Sequence, residues 1–255
     1  MLTSTFQHIP GVGEKTEMRL WKSGCISWDR LLESDFRLSR ERYTHLKAGV
    51  LESMGRLDCL DHRYFHDRLG KGIVWRAYNA FRDHACFLDI ETTGLSPYHG
   101  MVTCVCVHSP KETKTYLAGD NMEELGRDLS QYKYLVTFNG ARFDLPFLSA
   151  SLGLKFDQIH LDLLYPLKAL GYRGGLKKIE SELGICRETA GVSGFDAVRL
   201  WHAYKNDRAT EVAGFRLSGL DALDLLVRYN REDTENLEKL ADYAVSELKK
   251  ACLAP

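Results

Sequence analysis

Residues 85–94 read ACFLDIETTG, an apolar run that ends in two acids and a turn. Ala85 to Ile90 make a strand-length segment, and successive strand side chains point to opposite faces. Asp89 and Glu91, two positions apart, therefore project from the same face. Thr92, Thr93 and Gly94 close the run and leave the pair at a sheet edge near a turn. Two carboxylates so placed repel each other and resist desolvation unless water or a positive group neutralises them. Taken alone, the pair reads as strand-end acids held in water.

Working outward, MVTCVCV (101–107), TKTYLA (113–118) and YKYLVTF (132–138) read as further strands, with NMEELGRDLSQY (121–132) as a helix between the last two. Beyond Asp144 the chain is mainly helical: LPFLSASLG, LLYPLKALG, LKKIESELG, DAVRLWHAYK and a long run from Leu217 to Lys249, with QIHLD (158–162) as one more candidate strand. The order implies an α/β domain with one mixed sheet flanked by helices. Before residue 84 the pattern is one of short helices broken at Gly11–Gly13, Ser23–Gly24 and Gly70–Gly72. The stretch 61–83 is aromatic and basic with no clear period, as expected of a connector packed on the second domain. The expected division is a small all-helical module over 1–60, the connector over 61–83 and the α/β domain over 84–250.

The 255 residues carry 34 Lys+Arg against 35 Asp+Glu and are 44% hydrophobic, a balance that excludes a disordered chain, a collagen-like repeat or a coiled coil. No apolar run approaches the roughly 20 residues that a membrane span needs. MLTSTFQHIPG lacks the charged and apolar regions of a secretory signal. The seven cysteines form no CxxC pair, which fits buried free thiols in a reducing cytoplasm rather than a zinc site. Cys104 and Cys106 should share one strand face. A net charge of -1 argues neither for nor against a polyanionic partner, because a local patch is invisible in the sum.

Two further stretches bring acids into question. In FNGARFD (138–144), Asn139–Gly140 is a turn signal and Asp144 falls near the start of the next helix, where it reads either as an N-terminal stabiliser or as a functional acid. In YNREDTENL (229–237), Tyr229 and Asp233 share a helix face one turn apart, beside a buried side marked by Leu225, Leu226, Leu237 and Leu240. Singly, none of the three stretches decides anything.

Together, LDIETTG, FNGARFD and YNRED resemble the three exonuclease motifs of the RNase H-like DEDD superfamily. The Tyr four residues before the last Asp marks its DEDDy branch, which includes polymerase proofreading domains and RNase D. HLDLLYPLKAL, GGLKKIESELGI, FDAVRLWHAY and LLVRYNREDTENL look closest to YprB-type predicted exonucleases, and the resemblance covers roughly 84–245. It implies an RNase H-like fold and a 3′→5′ exonuclease that releases nucleoside 5′-monophosphates with two Mg²⁺ or Mn²⁺ ions. In that scheme Asp89 bridges the ions, Glu91 and Asp233 complete the water-activating site, Asp144 holds the second ion and Tyr229 orients the attacking water. The chemistry suits the residues: two hard dications about 3.5–4 Å apart require several carboxylate oxygens. Tyr229, with a reference pKa near 10, is better placed to position water than to take its proton.

Single-stranded DNA is the favoured substrate. An RNA-trimming exonuclease and a non-catalytic nucleic-acid-binding scaffold are the rivals, and no replication or repair partner can be named. Asp162 reads as an acid that orients nearby backbone or a basic residue, with a direct catalytic part as the lesser alternative. Asn139 is either a plain turn residue or a contact to the substrate backbone. Arg173, Lys177 and Lys178 surround Gly174–Gly175 at a helix start, where they form either a phosphate site or a solvated basic face. HIPGVGEKTEMRLWKSGCISWDRLLE resembles a helix-hairpin-helix element, in which Gly11 and Gly13 would bring backbone N–H groups to a DNA phosphate with Lys15 nearby.

Overall fold

In the computed structural model, which describes residues 1–33, 36 and 38–253, the chain starts with a 3₁₀ turn, Leu2–Ser4. Helices α1 (Glu14–Lys22), α2 (Trp28–Glu33), α3 (Arg40–Asp58) and α4 (His62–Arg68) follow, then a 3₁₀ turn (Val74–Ala77) and α5 (Tyr78–Phe81). Next come β1 (Ala85–Thr92), β2 (Val102–His108), β3 (Thr113–Leu117), α6 (Leu125–Leu129), β4 (Tyr134–Thr137), α7 (Asp144–Leu152) and β5 (Ile159–Asp162). The chain closes with α8 (Leu164–Ala169), α9 (Leu176–Glu182), α10 (Gly194–Lys205), β6 (Thr210–Val212), β7 (Phe215–Leu217) and α11 (Gly219–Leu253).

Five strands form one mixed sheet in the order β3-β2-β1-β4-β5. β1 lies at its centre, antiparallel to β2 and parallel to β4. The two-residue alternation of β1 sorts its side chains. Cys86, Leu88 and Ile90 join Leu125, Leu129, Phe147 and Leu148 of α6 and α7 on one side of the sheet. Phe87 packs on the other side with Tyr134, Val136, Ile159 and Leu161, under Leu237, Leu240 and Ala244 of α11. Asp89 and Glu91 share the Phe87 face, beneath α11. A register shift between Glu91 and Thr92 ends the regular pairing with β2 beside the two acids.

Along α11 the sheet-facing stripe recurs at the helical period: Leu226, Tyr229, Leu237, Leu240, Ala241, Ala244 and Val245 are all buried. Polar Asn230, Asp233 and Thr234 interrupt this stripe and are buried too. Cys104 and Cys106 both face this helix, through Asn230 and Thr234 respectively, as their two-residue spacing requires.

The stretch 61–83, which shows no period in sequence, is built from α4, α5 and 3₁₀ turns. These pieces are too short to display a 3.6-residue repeat, yet they bury Tyr64, Phe65, Tyr78 and Phe81. One apolar cluster runs without interruption from Phe6 and Trp28 through these aromatics to Phe87 and α11. A buried polar knot sits inside it: Arg76 pairs with Glu17 at 2.6 Å, and Glu17 also accepts from Thr5, Gln7 and the Phe6 N–H. Burial would raise the Glu17 carboxyl, but these bonds outweigh it and hold the group below its ordinary range. Gly11 takes a left-handed φ of 80° and Gly13 caps α1, so the PGVG turn leads into a helix. The element before it is the single 3₁₀ turn.

The β6–β7 hairpin has no counterpart in the strands expected from sequence. Its Ala213–Gly214 turn has φ values of 51° and 81°, the left-handed pair of a two-residue hairpin loop. Three-residue strands are too short to show alternation.

Candidate active site

Three elements converge on one cleft of about 350 Å³, lined by Asp89, Glu91, Asp144, Tyr229 and Asp233. β1 supplies Asp89 and Glu91, the first residue of α7 is Asp144, and α11 supplies Tyr229 and Asp233 one turn apart. Oxygens of Asp89, Glu91 and Asp233 lie within 4.8 Å of one another. Asp144 forms a neighbouring part of the cleft wall outside that tight triad. Asp89 is half-buried, and the other four side chains are buried.

Burial and crowding set the electrostatics. Desolvation, then the charges of Asp233, Asp144 and Glu91, raise the Asp89 carboxyl well above its ordinary range. Glu91 is raised for the same reasons, against the partial relief of Lys177. Burial pushes Asp144 up to about 7 although backbone N–H groups favour its charged form. Asp233 is also raised by burial, even with Arg187 beside it. Burial and the neighbouring acids raise the Tyr229 phenol, so it stays protonated at neutral pH. A group of buried carboxylates held against their mutual repulsion, with oxygen donors only, matches a hard divalent cation.

The loop that carries Asp144 is fixed by Asp162. Its carboxylate accepts from the N–H groups of Asn139 at 2.7 Å, Ala141 at 3.1 Å and Leu164 at 3.1 Å. Asn139 adopts a left-handed φ of 61°, a conformation that Asn tolerates in turns. At Gly140 an added Cβ would lie 2.3 Å from Thr137 Oγ1, so only glycine fits. Asp162 thus orients backbone, the first of the roles expected for it.

Of the other residues picked out in sequence, Asn139, Lys177 and Lys178 line the cleft. Lys177 bonds the Val192 carbonyl and lies 4.3 Å from the Tyr229 ring centre. Arg173 is not among the residues lining the cleft, and its guanidinium bonds the carbonyls of Lys168 and Tyr172 near the end of α8. Gly11 and Gly13 lie on the rim of a separate depression in the N-terminal module, and Lys15 is exposed on α1. Two site residues are not legible in the motifs. Asn230 donates its amide to Asp89 Oδ2 at 2.8 Å and accepts from the Cys104 thiol. Arg187 bonds Asp233 and, at 2.6 Å, the fully buried Glu180.

Among solved structures, the chain is similar to the family B DNA polymerase of the hyperthermophilic archaeon Pyrobaculum calidifontis, with 15% identity and a TM-score of 0.46 over 63% of this chain. The match spans 25% of that polymerase. It is also similar to Brucella melitensis NrnC with bound Mg²⁺, at 21% identity and a TM-score of 0.45, covering 69% of this chain and 79% of that one. The same protein bound to pGG aligns at 20% identity over 68% of this chain and 78% of that one, with a TM-score of 0.43. No curated protein matches the chain. A family model described as RNase_H superfamily matches residues 86–245, a span that contains all five residues of the acidic cleft. With that match over more than half its length, on a five-stranded mixed sheet whose central strand and last helix meet at the cleft, the chain belongs to the RNase_H superfamily.

Proposed function

We propose that the protein is a metal-dependent 3′→5′ exonuclease of the DEDDy type, acting on single-stranded DNA and releasing nucleoside 5′-monophosphates. The observation that carries this reading is the convergence of Asp89, Glu91, Asp144 and Asp233 from three distant stretches of chain into one cleft beside Tyr229. Asp89, Glu91 and Asp233 would hold one divalent cation, and Asp89 with Asp144 a second. When bound, two Mg²⁺ or Mn²⁺ ions would supply positive charge to the attacking and departing oxygens of the phosphodiester.

The chain's own residues do the rest. Tyr229, protonated and buried, offers a hydroxyl to orient a water rather than a base to deprotonate it. Lys177 and Lys178, on the cleft wall, favour an anionic strand there. Gly11, Gly13 and Lys15 would meet a backbone phosphate away from the cleft, a contact that reads no base and weakens with salt. YprB-type exonucleases with a helix-hairpin-helix element fit this division of labour. Among the described residues, no helix is long and apolar enough to cross a membrane.

The test is incubation of end-labelled single-stranded DNA with Mn²⁺ or Mg²⁺, beside an Asp89→Ala control and an RNA of equal sequence. Stepwise shortening from the 3′ end by the unaltered protein alone is expected, faster on DNA. Intact oligonucleotides in every tube would reject nuclease activity, and preferential shortening of RNA would reassign the substrate.

A further inference from the structure

Arg187 lies in the segment between α9 and α10, which is docked onto α11. Glu232 accepts from the N–H groups of Glu188 at 2.6 Å and Thr189 at 3.0 Å. This docking delivers Arg187 to the next residue of α11, Asp233. The Arg187 side chain is only 7% exposed. One amino group bonds Asp233 Oδ1 and the other bonds Glu180 Oε2 at 2.6 Å, while Nε lies 3.7 Å from Glu232. Glu180 is fully buried, and its second oxygen accepts from Asn236 at 2.9 Å. A guanidinium so enclosed, with both amino groups engaged, is not available to a substrate phosphate. Its charge is permanent. Among the described residues it is the one cation in direct contact with a carboxylate of the Asp89–Glu91–Asp233 triad.

We propose that Arg187 is a built-in counter-ion of Asp233, one that competes with the divalent cation for that carboxylate and sets how tightly the cleft holds metal. The inference rests on the reading of the cleft as a metal centre. In the metal-free protein the guanidinium neutralises part of the acidic crowd. When a dication enters, the same charge repels it and restricts Asp233 to its other oxygen. Glu180 on the far side moderates the effect by pairing half of the guanidinium. Arg187 is thus a positioning residue that acts through Asp233.

This arrangement gives opposite signs for two substitutions. Arg187→Gln removes the competing charge and should tighten Mn²⁺ binding about tenfold, a conservative figure for a unit charge a few ångströms from a dication. Glu180→Gln leaves the guanidinium wholly on Asp233 and should weaken binding by a similar factor. The experiment is equilibrium titration of full-length protein with Mn²⁺, read by electron paramagnetic resonance of the free ion, with circular dichroism to establish folding. Tighter binding by R187Q and weaker binding by E180Q are expected. Unchanged or weaker binding by a folded R187Q overturns the proposal, because a purely structural residue would lose affinity in both variants. If R187Q does not fold, the double variant R187Q/E180Q, which strands no buried carboxylate, decides: tighter Mn²⁺ binding than by E180Q alone supports the proposal, and equal or weaker binding overturns it. Failure of the unaltered protein to bind Mn²⁺ would instead remove the metal-centre reading itself, a result distinct from any change between variants.

Discussion

Tyr229 and Asp89 are the single side chains at which the proposed chemistry and the stability of the cleft can be tested separately. Replacement of Tyr229 by Phe keeps the ring beside Lys177 and removes only the hydroxyl. Turnover on single-stranded DNA should fall by about 10²-fold or more while KM changes little, as expected for a group that positions a reactant. Equal turnover would remove the water-orienting role. Replacement of Asp89 by Asn takes one charge from a buried, mutually repelling set. Denaturant unfolding in the presence of a chelator should show this variant more stable than the parent by about 0.5–2 kcal/mol, with its nuclease activity lost. Lower stability would mean that the triad is not strained without metal. The two acids of β1 were legible in sequence because a strand places positions two apart on one face. Asn230 and Arg187 were not, because their carboxylate partners lie 141 and 46 residues away. No local period reports a contact made across such separations.

Among the elements, the loop between β4 and α7 is the least forgiving. Asp162 ties down two of its N–H groups, and Gly140 packs against Thr137 with no room for a Cβ. Gly140→Ala should therefore cost about 1–3 kcal/mol of stability, read by denaturant melts, because an overpacked site must shift its neighbours. It should also displace Asp144 and depress activity beyond what the stability loss explains. Unchanged melting would show that the turn relaxes freely. The Asn-Gly signal located this loop in the sequence, and the tertiary anchor at Asp162 gave it one conformation. Long α11 was legible from its leucine stripe. The β6–β7 hairpin and the 61–83 helices were not, because each spans too few repeats for a period to stand out.

On the scale of the whole molecule, one apolar cluster joins the N-terminal helices to the sheet, with the Arg76–Glu17 pair buried inside it. Arg76→Met strands a carboxylate there and should destabilise the entire protein by about 3–5 kcal/mol. Loss of only the N-terminal helices, seen as a separate early melting step, would argue against a shared core. The composition showed that a core of this size could form, but only the packed structure shows the N-terminal segment contributing to it. The acidic cleft also makes the fold sensitive to pH. The Asp144 carboxyl is pushed from 3.8 up to about 7, so between those values the folded chain retains a proton that the unfolded chain has released. Its contribution to stability is full below the lower value and falls as pH rises through the window. Cations need the ionised carboxylates, so the rise in Tm on adding Mn²⁺ should be larger at pH 8 than at pH 6. The most direct measurement of the metal-centre claim is anomalous diffraction from crystals soaked in Mn²⁺. The expected map shows manganese peaks ligated by Asp89, Glu91 and Asp233, with Asp144 beside the second, whereas a cleft without anomalous density at saturating Mn²⁺ would contradict it.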